Sequence, residues 1–430
     1  MNTDKKDNNS ANVTKRPSRV GAVGGWLEAL HDCCYIWWEE LKQMVKDEGV
    51  LIFCFLVPLA YPLLYSWIYN NEVVREVPVV VVDDSHSQLS RQFVRQCDAS
   101  PDVKILSYAS DLDEAQSLLS RQVARGIYYI PSDFETRVNR MEQATVSVYS
   151  DMSLMLCYKA VFQTAQTVTM QMGAEIQTKL GGHYTLRDEQ IAAQPMQFEE
   201  VPIFNPTGGY GSFIIPAVLI LIIQQTLVLG IGLSAGTSRE RNRYRNLIPI
   251  SRHYNGMFRI VGGKAMAYFM VYAVMTAYLV LVVPRIFGFT AIGRWKDLAV
   301  FLLPYLLDCI FFGMVVSCLV RYRENVMLLM VFVTIPLLFL TGVSWPQSSI
   351  PGFWQGVSWL FPSTFGVRGF VRINEMGGTL SDVLTEYQIL WLQMLAYFIL
   401  ACLVYRYQIN MARNDATQHL SQMEKNAISQ

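Results

Sequence analysis

Six long apolar blocks constrain this chain more than any other feature of its sequence. A helix needs about 20 apolar residues to cross the hydrocarbon layer of a bilayer. The fifth block is short and is expected to be broken by Pro336, and apolar character resumes after Trp345, which predicts a re-entrant or interfacial hairpin at 345–372. The pattern therefore predicts an α-helical polytopic membrane protein with six transmembrane helices. These are expected at 50–69, 213–233, 261–283, 298–320, 326–341 and 389–407.

Composition separates these blocks from the core of a large soluble protein. Hydrophobic residues make up 52% of the chain and charged residues 16%, whereas soluble proteins hold about 25% charged residues. The formal net charge of zero gives no indication of a nucleic-acid partner. The first fifty residues lack the apolar core of a cleavable signal peptide, so the first block is predicted to be an uncleaved signal anchor.

The distribution of lysine and arginine predicts the orientation of the chain. Basic flanks stay on the cytoplasmic side of a membrane, and both termini are therefore expected to be cytoplasmic. Residues 1–49 contain seven lysines and arginines, and Arg321 and Arg323 lie between the fourth and fifth blocks. The loop after the second block contains a single acid, Glu240, among Arg239, Arg241, Arg243, Arg245, Arg252 and Arg259. Three cations are exceptions that fall on the outer face: Arg285, Arg294 and Lys296.

An α/β domain is predicted between the first two spans, over residues 70–205 on the extracytoplasmic side. Strand and helix patterns alternate along this segment, which favours that class. Within it, Cys97 and Cys157 form either a disulfide or two buried free thiols. The other spans lie in 206–410, and 411–430 is predicted to be a cytoplasmic tail. The strands are expected at 77–82, 103–106, 127–130 and 145–149, and the helices at 87–97, 111–124 and 152–180.

A helical pattern precedes the first span and ends the cytoplasmic segment 1–49. Its apolar positions favour an amphipathic helix lying in the membrane interface. The alternative, a helix packed on a soluble core, is disfavoured because a span follows at once. The apolar positions are Trp26, Leu30, Cys34, Trp37, Leu41 and Val45.

Motifs of catalysis and metal binding are not found in the sequence. Gly262-Gly263-Lys264 lacks the upstream glycine of a phosphate-binding loop and is followed by Ala265, so this chain is not expected to hydrolyse ATP. HExxH and GxSxG motifs are missing, and no cysteines have CxxC spacing. The sequence predicts no catalytic residue, no metal site and no cofactor of its own.

Polar residues inside the spans are the candidates for a translocation path. A carboxylate at the bilayer centre costs about 2.5–3.5 kcal/mol on insertion scales, so Asp308 in the fourth span should face protein or water. It either lines the path or a proton-coupled gate, or is protonated and hydrogen-bonded to a neighbouring span. Gln224 and Gln225 in the second span are either substrate contacts or helix–helix contacts.

Five segments resemble the type-2 ABC exporter permeases, in particular the bacterial subfamily with a large extracytoplasmic domain between the first two spans. The resemblance covers residues 38–407. The last segment is the most specific, since it combines a glycine, spaced prolines and aromatics with Phe-Pro-Ser-Thr and a downstream arginine. The segments are WWEELKQMVKDEGVLIFCFLVPLAYPLLY, VPVVVVDDSHSQLSRQFV, DEAQSLLSRQVARGIYYIPSDFETRV, SRERNRYRNLIPISRHYNGMFRIVGGKA and TGVSWPQSSIPGFWQGVSWLFPSTFGVRGFVRI.

The resemblance implies a permease half without enzymatic activity that exports an amphipathic or hydrophobic molecule across the bacterial inner membrane. Its implied partners are a separate ABC ATPase subunit that holds Mg-ATP, a second permease half as homodimer or paralogous heterodimer, and membrane lipid. A periplasmic adaptor protein is an optional partner. The alternative is a non-transporting receptor or sensor with a ligand-binding extracytoplasmic domain, but the chain has no large cytoplasmic output segment.

The resemblance also implies roles for three groups of residues. A coupling helix would dock on the ATPase, although its basic residues also fit a flank that only sets the orientation of the span. At this place the family usually has Glu-x-Gly-Thr-Leu-Glu, whereas this chain has a more basic run. A connecting helix would lie against the same ATPase, and an outer gate would cover the cavity, although aromatics there also fit interface anchors. The groups are Arg239, Glu240, Arg241, Arg243, Tyr244 and Arg245; Trp37, Trp38 and Leu41; and Trp345, Pro346 and Pro362.

Overall fold

A computed structural model describes residues 22–70, 73–181, 203–205, 208–241, 247, 256–319 and 322–428. The chain divides into two compact units. The helical unit contains the described parts of Met1–Asn70 and Gly211–Gln430, and the sheet unit is Asn71–Tyr210. In chain order the elements are α1 (Ala22–Lys46), α2 (Glu48–Ile68), β1 (Val77–Asp83), α3 (Gln88–Asp98), β2 (Val103–Tyr108), α4 (Leu112–Ser120), β3 (Gly126–Ile130), α5 (Phe134–Asn139), β4 (Ser147–Ser150), α6 (Met155–Gly181), α7 (Tyr210–Arg241), α8 (Met257–Phe287), α9 (Trp295–Leu319), α10 (Arg323–Leu340), α11 (Gly352–Ser358), α12 (Pro362–Asn374) and α13 (Leu384–Ile428).

Six helices within the described residues are long and apolar enough to cross a membrane, which confirms the number of predicted spans. They are α2, α7, α8, α9, α10 and the stretch Leu380–Ala412, which includes the first part of α13. Two of them run further than the sequence pattern indicates. The second span continues to Arg241, and α13 continues to Ile428 through most of the predicted tail. Their polar ends carry no membrane-crossing signal, but they remain helical.

Pro336 does not break the fifth span, contrary to the interpretation from the sequence. The helix α10 runs over Arg323–Leu340 with Pro336 inside it. Proline has a helical φ and removes one backbone donor, so it bends or weakens a helix near its end without having to stop it. Ending the helix earlier would leave more backbone groups without partners in an apolar surrounding.

The six spans differ in how much of their surface the helical unit covers. Most side chains of α7 and α9 are buried, whereas fewer than a third of those in α2, α10 and the apolar part of α13 are. Large apolar side chains such as Trp67, Phe332 and Leu392 lie open on these outer helices. An exposed apolar face of this extent fits contact with lipid or with another membrane subunit.

Glycines allow close helix contacts within the helical unit, for example those of α12 with α9 and of α8 with α1. Gly366 and Gly369 of α12 lie against the rings of Tyr305 and Phe301 of α9, where a Cβ atom on either glycine would collide with the ring. In the same way, a Cβ on Gly263 of α8 would lie 2.9 Å from the backbone carbonyl oxygen of Cys33 in α1. Small residues at these points let backbones approach closely.

Two spans contain a single turn of π-helix. These turns are Ile52–Leu56 in α2 and Tyr278–Val282 in α8. The hydroxyl of Tyr278 donates a hydrogen bond to the carbonyl oxygen of Leu59 at 3.1 Å. The π turn of α8 therefore contacts α2 just after the π turn of α2.

The sheet unit has a four-stranded sheet in the order β2-β1-β3-β4. The central strand β1 runs parallel to both β2 and β3, and β4 is antiparallel to β3. Val79, Val80, Val81 and Val82 are all buried because helices cover both faces of the sheet. This continuous apolar run is typical of a strand in a parallel sheet.

Helix ends in the sheet unit follow local signals in the sequence. Ser87 and Ser90 form a reciprocal capping box at the start of α3, which satisfies two backbone donors. Asp111 caps α4, and the left-handed conformation of Gln122 (φ 59°) follows its end, so this helix is shorter than the predicted 111–124. The sequence analysis missed the short helix α5.

Cys97 and Cys157 are free thiols in this structure. Cys97 lies in α3 and is fully buried in the same apolar cluster as β1, and burial raises the pKa of its thiol to about 12. A thiol with such a pKa is protonated and unreactive near neutral pH. Of the two alternatives that the sequence left open, the structure has the pair of thiols.

Candidate functional site

The connecting helix α1 turns an acidic face towards the spans. Its buried positions recur every four residues, at Asp32, Ile36, Glu40 and Met44. Leu30 and Val45 of the predicted apolar stripe are open, at 60% and 62% exposed, and so is Trp38 beside it, at 53%. Apolar periodicity therefore predicts the helix but not this inward face, because two of the inward residues are acids.

Glu40 is the centre of a buried polar cluster between α1, α7 and α8. One carboxylate oxygen accepts hydrogen bonds from the hydroxyls of Ser234 and Tyr268, both at 3.1 Å. The other accepts from the ammonium group of Lys264 at 2.6 Å. Glu40 is 3% exposed and Lys264 8%, so two opposite charges satisfy each other away from water.

Asp47 connects the end of α1 to two further helices. It accepts a hydrogen bond from Thr237 of α7 at 2.5 Å and one from Arg323 of α10 at 2.8 Å. It also caps the first turn of α2 through the backbone N–H groups of Gly49 and Val50. Burial by itself raises the pKa of Asp47. The hydrogen bonds and the positive charge of Arg323 together lower it by more, so the pKa lies below its usual value.

Two more polar contacts extend this attachment along α1. Asp32 forms an ion pair with Arg259 at the start of α8, and Gln43 donates to the hydroxyl of Ser238 at 2.8 Å. Together with Glu40 and Asp47, these side chains join α1 to α7, α8 and α10. A movement of α1 would be carried to three spans at once through these contacts.

The basic segment after the second span is only partly within the described residues. Arg239 does not lie on an open surface, because it is 8% exposed and donates a hydrogen bond to the carbonyl oxygen of Cys318 at 3.1 Å. The expectation that Arg239 presents its charge to a partner is therefore wrong: the helix α7 runs through this position and turns it inward. Glu240 is exposed. The side chain of Arg241 and the whole of Arg243, Tyr244 and Arg245 lie outside the described residues.

Arg259 also differs from its sequence interpretation. It belongs to the first turn of α8 rather than to a loop, and its ion pair with Asp32 holds α1. Of the predicted connecting-helix residues, Trp37 and Leu41 pack against the core of the helical unit. Trp38 points away from it, with Lys42 over its ring at 5.6 Å.

Gln224 contacts the hairpin predicted at 345–372, which is called the outer hairpin below. Its side-chain oxygen accepts a hydrogen bond from the backbone N–H of Ser363 at 2.6 Å, in the first turn of α12. That contact satisfies one of the free donors at the start of a helix. Gln224 is 2% exposed, and Gln225 is only partly buried. This geometry favours the helix–helix role of Gln224 over a substrate contact.

Asp308 is completely buried in α9. Neither of its carboxylate oxygens has a hydrogen-bond partner among the described residues. The hydrogen bond to a neighbouring span, one of the two alternatives from the sequence, is therefore not present in this structure. An unpaired carboxyl group at such a position is costly to keep.

The outer hairpin consists of a short 3₁₀ turn at Gln347–Ser349 followed by α11 and α12. Trp345 is 56% exposed and Pro362 is buried at the first position of α12, so these predicted gate residues lie in different surroundings. Pro346 directly precedes the 3₁₀ turn. The hydroxyl of Tyr397 in α13 donates to the carbonyl oxygen of Leu360 at 2.6 Å, which fixes the hairpin to the last span.

The sequence analysis missed Lys264, Tyr268 and Arg323 as functional candidates. Lys264 carried a signal that could have been used, since a lone lysine in an apolar block needs a buried partner. Its pairing with Glu40 could not be predicted, because the two residues are far apart in the chain. Within the described residues, no group of three or more His, Cys, Asp and Glu side chains could hold a metal ion.

A comparison with protein families matches residues 49–403 to the ABC-2 family transporter proteins. The chain belongs to the ABC-2 family. The match runs from the start of the first span into the sixth and includes the sheet unit. It decides against the alternative of a non-transporting receptor.

Known proteins similar to this ABC-2 permease are themselves named as permeases. The linearmycin resistance permease protein LnrN of Bacillus subtilis (strain 168) is 21% identical over 353 residues, 77% of this chain and 89% of LnrN. The probable multidrug ABC transporter permease YbhR of Escherichia coli (strain K12) is 22% identical over 354 residues, 78% of this chain and 87% of YbhR. The inner membrane transport permease YadH of the same strain is 25% identical over 197 residues, 45% of this chain and 73% of YadH.

Proposed function

We propose that this chain, a permease subunit of an ABC exporter, moves an amphipathic or hydrophobic molecule outward across a bacterial inner membrane. ATP would be hydrolysed by a separate ABC ATPase subunit, and a second permease half would complete the path. The names of LnrN and YbhR support a cargo of the antibiotic or drug type. The termini would be cytoplasmic and the sheet unit extracytoplasmic, with an adaptor protein as an optional partner there.

The attachment of α1 to the spans carries the proposal for coupling. Its buried face is tied to α7 and α8 by Glu40 and to α7 and α10 by Asp47. Its opposite face leaves Leu30 and Trp38 open, which suits contact with an ATPase. We therefore assign the main transmission of movement to α1, with Glu240 and the basic residues that follow it as a second contact.

We assign substrate contacts to polar residues of α7 and α9, the two most buried spans. Asp308 is the strongest candidate because it is buried in α9 without a hydrogen-bond partner in the described part of the chain. Gln225 is a weaker candidate, and Gln224 would act by holding the outer hairpin, where Trp345, Pro346 and Pro362 would contribute to the gate.

The coupling proposal is tested with the affinity-tagged full-length chain purified from its native membranes in mild detergent. The wild-type chain should carry a vanadate-sensitive ATPase. Trp38→Ala should lower the amount of bound ATPase activity at least about tenfold, since a buried interface tryptophan often contributes about 2 kcal/mol or more. The control is Trp345→Ala in the outer hairpin, because Trp345 is 56% exposed and Trp38 is 53% exposed. This variant should retain the ATPase.

Two results would contradict the proposal. Wild-type chain without associated ATPase activity would remove the partner subunit from the mechanism. Equal ATPase retention by the two tryptophan variants would leave the partner in place but exclude the outer face of α1 as its contact.

A further inference from the structure

Three cations at the outer ends of α8 and α9 have no role in the proposed function. Arg285, Arg294 and Lys296 are exceptions to the charge rule that orients the spans. All three side chains are exposed, and none makes an ion pair with a described residue. Unpaired basic residues on this face of the membrane suggest an anionic ligand.

The three cations line one cavity of about 770 Å³. The loop between α8 and α9 forms one wall and the end of α12 another. Gly293 of this loop packs so closely on α12 that a Cβ would lie 2.6 Å from the carbonyl oxygen of Ile373. Two backbone N–H groups of the loop, those of Ile292 and Gly293, donate to the carbonyl oxygen of Asn374. The cavity is therefore built by fixed backbone contacts.

Asn374 adds an unused donor to this cavity. It is 2% exposed, lines the cavity and has a side-chain nitrogen without a hydrogen-bond partner among the described residues. Buried polar groups are nearly always hydrogen-bonded. An acceptor oxygen of a ligand would satisfy this nitrogen, and phosphate oxygens are strong acceptors that arginine also recognises.

A second cavity continues from the basic one along the spans. It has a volume of about 240 Å³ and lies between α8 and α9. Val280, Leu281, Trp295 and Leu298 line both cavities. From there the second cavity reaches down to Phe269 and Leu306 with almost entirely apolar walls. A charged compartment thus opens into an apolar groove that is parallel to two membrane spans.

We propose that this composite cavity binds an anionic phospholipid of the outer leaflet. Its phosphate would lie among Arg294, Lys296 and Asn374, and an acyl chain would occupy the groove between α8 and α9. Basic pockets beside transmembrane helices bind anionic lipid head groups by the same chemistry. The lining holds three cations and one acid, Asp297, which favours a net negative head group over a zwitterionic one. The lipid is a resident ligand that joins the end of the outer hairpin to α8 and α9.

The test uses native mass spectrometry of the full-length detergent-purified chain with phosphatidylglycerol and phosphatidylcholine of identical acyl chains. Phosphatidylglycerol should bind at least about tenfold more tightly. Arg294→Gln with Lys296→Gln should weaken phosphatidylglycerol about tenfold or more while leaving phosphatidylcholine unchanged. Ala299→Phe, which places a ring in the groove, should weaken phosphatidylglycerol binding without removing a charge.

The matched control is Arg121→Gln with Arg140→Gln, which removes two exposed cations from the sheet unit and should bind phosphatidylglycerol like the wild type. Equal binding of the two lipids, or wild-type binding by the Arg294 and Lys296 variant, would overturn the proposal. Full displacement of phosphatidylglycerol by inorganic phosphate, with Ala299→Phe having no effect, would show a free-phosphate site instead. None of these readouts depends on an ATPase, so this inference and the proposed export function fail separately.

Discussion

Glu40 and Lys264 illustrate how a buried ion pair can hold two helices of a membrane protein in one register. Each is buried, and Glu40 also accepts two hydroxyl hydrogen bonds. Removing one partner of a buried pair typically costs about 3–5 kcal/mol, whereas replacing both by apolar residues is often neutral. Specific attachment of α1, rather than raw stability, is therefore the expected role of the pair.

A double-mutant cycle checks this role. Glu40→Leu and Lys264→Met should each lower the free energy of unfolding by about 3–5 kcal/mol. The double variant should lose clearly less than the sum of the two, because neither charge is then left unpaired. Denaturant unfolding of the purified chain measures the three values, and simple additivity would show that the two charges do not depend on each other.

Asp308 gives the opposite case, a buried carboxyl group without a partner. Replacing an unsatisfied polar group by an apolar one of similar size tends to be neutral or stabilising. Asp308→Leu should therefore leave the melting temperature unchanged or raised while export falls at least about tenfold, a barrier change of about 1.4 kcal/mol. Asp308→Asn, which keeps the shape, serves as the comparison. Export by Asp308→Leu at the wild-type rate would remove Asp308 from the translocation path.

At the scale of helices, adjacent glycines in α8 offer a matched pair. A Cβ on Gly263 would lie 2.9 Å from both the carbonyl oxygen of Cys33 and the side chain of Ile36, whereas a Cβ on Gly262 would lie 3.9 Å from the nearest atom, the sulfur of Cys33. Gly263→Ala should therefore push α1 away and destabilise the protein by about 1–3 kcal/mol. Gly262→Ala should be neutral or slightly stabilising, since alanine favours helix.

Thermal unfolding of the two variants measures this difference, and limited proteolysis within α1 reports its release. Equal melting temperatures for both would mean that α1 does not pack on Gly263.

The elements of this chain were predictable to different degrees, for physical reasons. Spans and strands follow from long apolar runs, so all six spans and the buried strand at Val77–Val82 could be identified. The inward face of α1 could not be identified from the sequence. Asp32 and Glu40 are buried there only because Arg259 and Lys264 neutralise their charges. The inward turn of Arg239 depends likewise on a carbonyl group of α9. Such partners are distant in sequence, and apolar periodicity carries no information about them.

For the whole molecule, the orientation in the membrane is the property that decides which end meets ATP. The side chains of Ser120 and Asn414 are exposed in the sheet unit and beyond the last span. In a chain with its native cysteines replaced, a membrane-impermeant maleimide added outside should label Ser120→Cys but not Asn414→Cys until the membrane is opened. Labelling of Asn414→Cys from the outside would reverse the proposed orientation.

Assembly is the second property of the whole molecule. The open apolar faces of α2, α10 and α13 are suited to lipid as well as to a second permease half. Inside a bilayer, apolar area alone drives little association, because lipid tails are equally apolar. The partner half is therefore expected to be recognised through shape and the few polar groups on these faces.

The π turns in α2 and α8 affect how the chain can tolerate changes in length. Each π turn accommodates one residue more than an α-helical turn, and a helix advances about 100° per residue. Deleting one residue from Ile52–Leu56 would therefore restore a regular helix and leave the side chains beyond it facing nearly the same way. The same deletion in a regular stretch of a span would rotate everything beyond it by about 100° and exchange lipid-facing and inward side chains. Homologous permeases that differ by one residue at a π turn would thus keep the same residues in their interior.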